Sequence, residues 1–169
     1  PNLLAADASG TRSILTIGGG ADVEVSGFTF RGPVPEMTAG IFVRDGAHAS
    51  IHDNKVIDIR ESAILSGNQR GVGILVGRAL FGTSGTALIA SNQITGYQKG
   101  GIVVDGPGSQ ATITGNTITG EGPTGVIAQN GPTVVSDWID ILPHSLAPHV
   151  LVPAAGYVFS ANHRPVGSW

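Results

Sequence analysis

The sequence predicts an all-β solenoid of stacked coils, and three observations carry that prediction. Four units opening on Gly recur along the chain: Gly40-Ile41-Phe42-Val43, Gly73-Ile74-Leu75-Val76, Gly101-Ile102-Val103-Val104 and a weaker Gly125-Val126-Ile127-Ala128, at spacings of 33, 28 and 24 residues. A second landmark follows the first three, as Ile51-x-x-Asn54-x-Val56, Ile89-x-x-Asn92-x-Ile94 and Ile113-x-x-Asn116-x-Ile118. Finally, 26 of 169 residues are Gly and only 5% are aromatic, which favours tight turns and small stacked side chains over a helical bundle. Repeats of this length, made of short strands, bury their apolar face only by stacking on their neighbours.

Taken in order, residues 1–12 read as an entry segment. Pro1-Asn2-Leu3-Leu4 shows neither an initiator Met nor a basic leader, so the chain is expected to be a processed or excised piece of something longer. Ser13 to Ile17 is the first predicted strand. After the Gly18-Gly19-Gly20 turn, Val23, Val25, Phe28 and Phe30 keep the same apolar frame without the Asn. The unit from Gly101 to Gly120 shows the expected coil most plainly. Two alternating runs, Ile102 to Val104 and Ala111 to Ile118, flank the turn cluster Asp105-Gly106-Pro107-Gly108, giving strand, turn, strand, turn. The longer coils carry insertions at Arg60 to Arg70 and at Arg78 to Gly85, and such insertions map to loops on one face of a solenoid, often the binding face. The periodicity stops near Asn130, where Gly131-Pro132 is expected to break the next coil and leave residues 131–169 as an irregular segment or cap.

On these Gly-Ile-x-Val starts and Ile-x-x-Asn-x-Ile ends, Gly40 to Gly125 resembles the right-handed parallel β-helix repeats of the pectate-lyase-like superfamily. The resemblance implies a right-handed parallel β-helix of about four to five coils over residues 13–130. It does not imply one activity, because that fold hosts lyases, hydrolases, epimerases, tailspikes and adhesins. The stretch of residues 137–167, which contains Ala161-Asn162-His163-Arg164-Pro165, resembles a segment of penicillin-acylase-type amidases. By that likeness Asn162 would correspond to an oxyanion-hole Asn. Such an amidase needs an N-terminal nucleophile; Pro1 offers none, so His144, His149, His163 and Asn162 imply no reaction by themselves.

The recurring Asn54, Asn92 and Asn116 are expected to form a ladder in which each amide bonds to the next coil and satisfies turn backbone. Asp45 and Asp105 occupy similar places, each before a Gly, and read first as turn formers, as do Asp53 and Asp58 beside other predicted strands. An enzyme acting on uronates would use such carboxylates to hold calcium and an Arg to move a proton, which makes Arg44, His48, His52, Arg60 and Asp105 the candidate catalytic groove. His48 and His52, at even spacing, would share one strand face. Arg70, Arg78, Tyr97 and Lys99 are the candidate binding residues, with Tyr97 at a coil corner where a ring could stack on a sugar. Thr112, Thr114, Thr117 and Thr119 alternate on one coil, but one coil makes no array.

A net charge of −3 gives no general attraction to nucleic acid or anionic membrane, and no apolar run is long enough to span a bilayer. Zero Cys excludes disulfides and thiolate metal sites. No phosphate loop, zinc spacing or nucleophile elbow is present. The expected function is that of a non-catalytic secreted or surface module that binds a polysaccharide or surface protein through its strand face and inserted loops, with no cofactor. The alternatives are a lyase or epimerase of acidic sugars, for which calcium is possible, and a fusion carrying an amidase-derived tail.

Overall fold

A computed structural model of the chain describes residues 11–63, 68–120, 124–136, 139–141, 150–151 and 157–159. The first coil comprises β1 (Arg12–Ile17), β2 (Asp22–Ser26) and β3 (Thr29–Arg31), and the second β4 (Met37–Val43), β5 (His48–His52) and β6 (Lys55–Ile57). The third holds β7 (Val72–Val76), β8 (Thr86–Ala90) and β9 (Gln93–Thr95), and the fourth β10 (Gly100–Asp105), β11 (Gln110–Thr114) and β12 (Asn116–Thr119). A fifth is traced by β13 (Thr124–Gln129), β14 (Thr133–Ser136) and β15 (Ile139–Ile141), followed by β16 (Val150–Leu151) and β17 (Tyr157–Phe159). Each strand pairs in parallel with its counterpart one coil away, which builds three sheets in the orders β1-β4-β7-β10-β13-β16, β2-β5-β8-β11-β14-β17 and β3-β6-β9-β12-β15. The chain is therefore a parallel β-solenoid. Among the described residues no helix is long and apolar enough to cross a membrane.

Register makes the core. Ile41, Ile74, Ile102 and Val126 are partners along the first sheet, and Val25, Ile51, Ile89 and Ile113 along the second. All of them lie inside the solenoid, with Val56, Ile94 and Ile118 from the third sheet. Fully burying such a side chain stabilises by roughly 1.5–3 kcal/mol. Stacking aligned β-branched columns is how coils that have no core of their own hold together.

The structure corrects the two-strand coil in one respect. The run Ala111 to Ile118 is two strands, bent at Gly115, whose φ is +61°. Gly27, Asp53 and Ser91 hold the equivalent bend, with φ of +74°, +55° and +54°. The left-handed residue inserts one extra step, so the inward positions run two, then three, then two apart, which is the Ile-x-x-Asn-x-Ile spacing read in physical terms. A non-Gly residue in that conformation is strained. Replacing the exposed Ser91 by Gly is expected to stabilise the chain by about 0.5–1 kcal/mol in a urea titration.

The Asn after each bend turns inward and is buried. Asn92 Nδ2 donates to Ile51 O and to Asn116 Oδ1, both at 2.9 Å, while its Oδ1 accepts from the backbone N and Nδ2 of Asn54, both at 3.0 Å. Asn54 Nδ2 also donates to Val25 O (2.8 Å), and Asn116 Nδ2 donates to Ile89 O (2.8 Å). At the first coil Phe28 stands in the Asn position, and its backbone N donates to Asn54 Oδ1 (3.0 Å).

Pairing also continues past Asn130. Gly131 and Pro132 occupy the turn between β13 and β14, and Thr133 to Ser136 resumes in register with Gln110 to Ile113. The turn residues that end one strand are thus compatible with starting the next, because every coil of this fold needs such a turn. Within residues 131–169, the described residues contribute β14 to β17 to the sheets.

Candidate functional site

The first sheet carries apolar residues on both faces. While Ile41 and Val43 point into the solenoid, Ala39, Phe42, Val72, Leu75, Val103 and Ile127 form a second apolar cluster, each at most 8% exposed. One face of a solenoid sheet ordinarily meets water, but this outer cluster is already shielded from it. The two insertions flank it. The segment before β7 enters the first sheet from one side, and the segment after β7 leaves it on the other.

Between them lies a cavity of about 280 Å³. Val72, Leu75, Val103 and Ile127 line its floor; Arg78 and Leu80 come from the loop after β7; Gln69 and Lys99 come from the loops that precede β7 and β10; and Asp105, Gln129 and Asn130 close the end where the strands finish.

The loop after β7 is a small closed ring. Arg78 and Thr83 exchange backbone hydrogen bonds (2.8 and 3.3 Å) around a 3-10 turn at Ala79–Phe81, and Gly82 ends that turn at φ +61°. Thr83 fastens the ring to the second coil, its Oγ1 donating to Asp45 Oδ1 (2.8 Å) and accepting from the Asp45 backbone N (2.7 Å). This leaves Leu80 76% exposed at the tip. The Arg78 guanidinium lies 5.1 Å from the centre of the Phe81 ring, an arrangement that favours a cation. Burial pulls the Arg78 pKa below its ordinary value; Arg70 adds to this and the Asp105 carboxylate opposes it.

The other wall is held by a residue that the repeat pattern does not single out. Gln98 is buried; its Oε1 accepts from the Glu61 backbone N (3.2 Å), and its Nε2 donates to Glu61 Oε1 and Asn68 O, both at 3.4 Å. Arg70 sits on this loop, with Nη1 3.8 Å from Glu61 Oε2. Asp105 is buried at the groove end, where it accepts from Asn130 Nδ2 at 2.7 Å.

Of the residues singled out from sequence, Arg78, Lys99 and Asp105 line this groove, with Arg70 on its wall loop. Leu80, Gln69, Gln129 and Asn130 were not anticipated. Their signal is the length of the insertions and the fifth coil, which periodicity alone does not mark as one surface.

The remaining candidates fall elsewhere. Tyr97 is a correction: only 3% exposed, it packs beside Gly101 and Gly120, and burial pushes its phenol up to about 12, so its ring offers no face to a sugar. Both neighbours are Gly, and the space their missing side chains leave accepts the ring.

Arg44, His48, His52, Arg60 and Asp105 do not make one groove. Arg44 is at the corner after β4, with Nε 2.8 Å from Asp45 Oδ2 and its guanidinium over Phe42. The two His lie on the second sheet, and Arg60 follows the third sheet, where Nε donates to Gly96 O (3.3 Å) and Nη2 is 3.4 Å from Asp58 Oδ1. Asp45 and Asp105 are not equivalent either. With Val43, Val76 and Val104 in register, Asp105 stands in the column of Arg44 and Gly77, one residue short of the column of Asp45. A one-residue offset separates them, because a sheet's columns follow backbone pairing rather than distance from a landmark. Among the described residues no group of three or more His, Asp or Glu could hold a metal ion. His144, His149, Asn162 and His163 of the tail lie outside the described residues.

A family model described as a right-handed β-helix region matches residues 39–143, more than half of the chain. No curated protein and no solved structure gives a significant match.

Proposed function

Because the chain belongs to the right-handed β-helix family, we propose that it is a non-catalytic binding module, secreted or displayed at a cell surface, that takes a segment of an acidic polysaccharide or a surface protein into the groove on its first sheet. The observation that carries this reading is the 280 Å³ groove, with its apolar floor of Leu75, Val103 and Ile127 and its cationic edge of Arg78 and Lys99. The floor side chains are themselves almost fully buried, so a ligand is held chiefly by the fixed polar groups at the rim, which set its orientation. Arg78 suits an acidic group because its planar fork is already oriented by Phe81, so less freedom is lost on binding. Asp105 is engaged with Asn130 and closes the groove rather than opposing an acidic ligand along its length.

The non-catalytic part of the proposal rests on dispersal. Removing a proton beside a sugar carboxylate takes a base and a charge-stabilising group within hydrogen-bonding reach of one atom. Here the His and Arg candidates are divided among the corners and sheets of the second coil.

Calorimetric titration with oligosaccharides from a panel of acidic polysaccharides tests the reading. Arg78→Ala is expected to weaken binding about tenfold, the loss of one charge-assisted interaction, with an unchanged unfolding midpoint. Chelator is expected to leave binding unaltered. Equal affinity for wild type and Arg78→Ala across every ligand bound would reject the groove. Ultraviolet absorbance from unsaturated uronate ends would make the protein a lyase instead.

A further inference from the structure

The outer face of the second sheet holds a charge arrangement that the groove does not use. His52 bridges two carboxylates: its Nδ1 lies 2.8 Å from Asp53 Oδ2, and its Nε2 lies 3.0 Å from Glu24 Oε1. Asp53 is the next residue in the same turn, but Glu24 belongs to β2 of the first coil. Four residues back along β5, His48 is the register partner of Asp22 on β2. On the other side of β5 the neighbouring strand is Thr86-Ala87-Leu88-Ile89-Ala90, with Ala90 opposite His52, and it carries no titratable group. Acid on the first coil thus meets His on the second, and nowhere on β8 is the pattern repeated.

We propose that His52 is a proton-operated clamp between the first and second coils, closed while the imidazole is charged and loosened when it is neutral. Neutral imidazole has one N–H, so it can donate to only one of the two carboxylates and presents a lone pair to the other. The imidazolium donates to both. The Asp53 and Glu24 hydrogen bonds raise the His52 pKa, and their charges act in the same direction, against partial burial. The sign follows from linkage: a group raised in the folded state contributes its stability below the ordinary His value, and that contribution is lost as pH rises through the raised one. It also requires the carboxylates to be ionised, so the clamp operates between the carboxylate range and the folded His52 pKa. Among the described residues the first coil pairs with the second alone, and a coil held across one boundary opens before those held across two. The clamp therefore sets how readily the first coil detaches.

Amide hydrogen exchange of the intact chain tests it, comparing β2 and β3 with β11 and β12 at pH 6.0 and pH 8.5 after correction for intrinsic rates. Protection of the first coil is expected to fall about threefold relative to the fourth as pH rises, the modest size of an exposed ion pair. In His52→Gln the ratio is expected to stay flat with pH, and in Glu24→Gln to change less than in wild type. A ratio independent of pH in the wild type, or one that changes equally in His52→Gln, would overturn the clamp. A proton NMR titration of the wild type needs no variant: His52 ionising at or below the ordinary His value would overturn it too.

Discussion

Gly101→Val is expected to leave little folded protein. A Cβ built at Gly101 lies 2.5 Å from Ile118 Cγ2 and 2.7 Å from the carbonyl oxygen of Gly125, and the latter is backbone that cannot turn aside. Gly73 faces the Gly101 carbonyl oxygen in the same way, and Gly40 faces that of Gly73 at 2.8 Å, so the column of Gly is a seam along which successive coils approach without side chains. Relieving one overlap moves strand β10 away from β13, and because each coil stacks on the next, the displacement spoils register on both sides. Overpacking in a well-filled core costs about 1–3 kcal/mol, and more where backbone must move, so a loss above about 3 kcal/mol is expected. Against a total of about 5–15 kcal/mol for a typical domain, that is a large share. Urea unfolding measures it. The exposed Thr112→Ala on β11 is the control, expected to stay within about 0.5 kcal/mol of wild type. A Gly101→Val midpoint equal to that of the control would show that the coils separate at no cost and that the seam is not what sets their spacing.

The second large effect is Asn92→Ala, at the centre of the ladder. Its amide serves four hydrogen bonds, to Ile51 O, to Asn116 Oδ1, and from the backbone and side chain of Asn54. Alanine leaves the Asn54 N–H and the Ile51 carbonyl inside the solenoid without these partners. Each buried polar group left unsatisfied costs about 1–3 kcal/mol, so a loss of about 3–5 kcal/mol is expected. Asn54→Ala removes bonds that are partly the same ones, so the double variant should lose clearly less than the sum of the two singles. Strict additivity in that cycle would mean the amides act as separate turn caps rather than as a ladder.

Much of this was legible beforehand for a definite reason. A parallel solenoid repeats one set of local requirements in every coil, so its needs are written several times over: a Gly where backbones close, a β-branched residue on each inner column, and an Asn at one bend. Gly40, Gly73 and Gly101 with Asn54, Asn92 and Asn116 therefore announce the fold and its register together. The three-strand coil was less plain, because a single left-handed residue such as Ser91 bends the chain at the cost of only one extra step between inward positions. The groove was only partly visible. Arg78, Lys99 and Asp105 stood out as scarce charges near insertions, but Gln98, Leu80 and Asn130 do not repeat, and a residue used once leaves no periodic trace.

What the sequence determined by itself is the solenoid, since stacking identical coils is the one arrangement that buries every Gly-Ile-x-Val and Ile-x-x-Asn-x-Ile unit at once. What only the tertiary structure decided is which charges share a surface. Asp45 and Asp105 look alike in the chain yet lie on different columns, Tyr97 looks like a corner ring yet fills the space beside Gly101 and Gly120, and Glu24 and His52, 28 residues apart, meet across one coil boundary. Their positions depend on which residues backbone pairing sets opposite one another across a coil boundary, which local preferences do not encode.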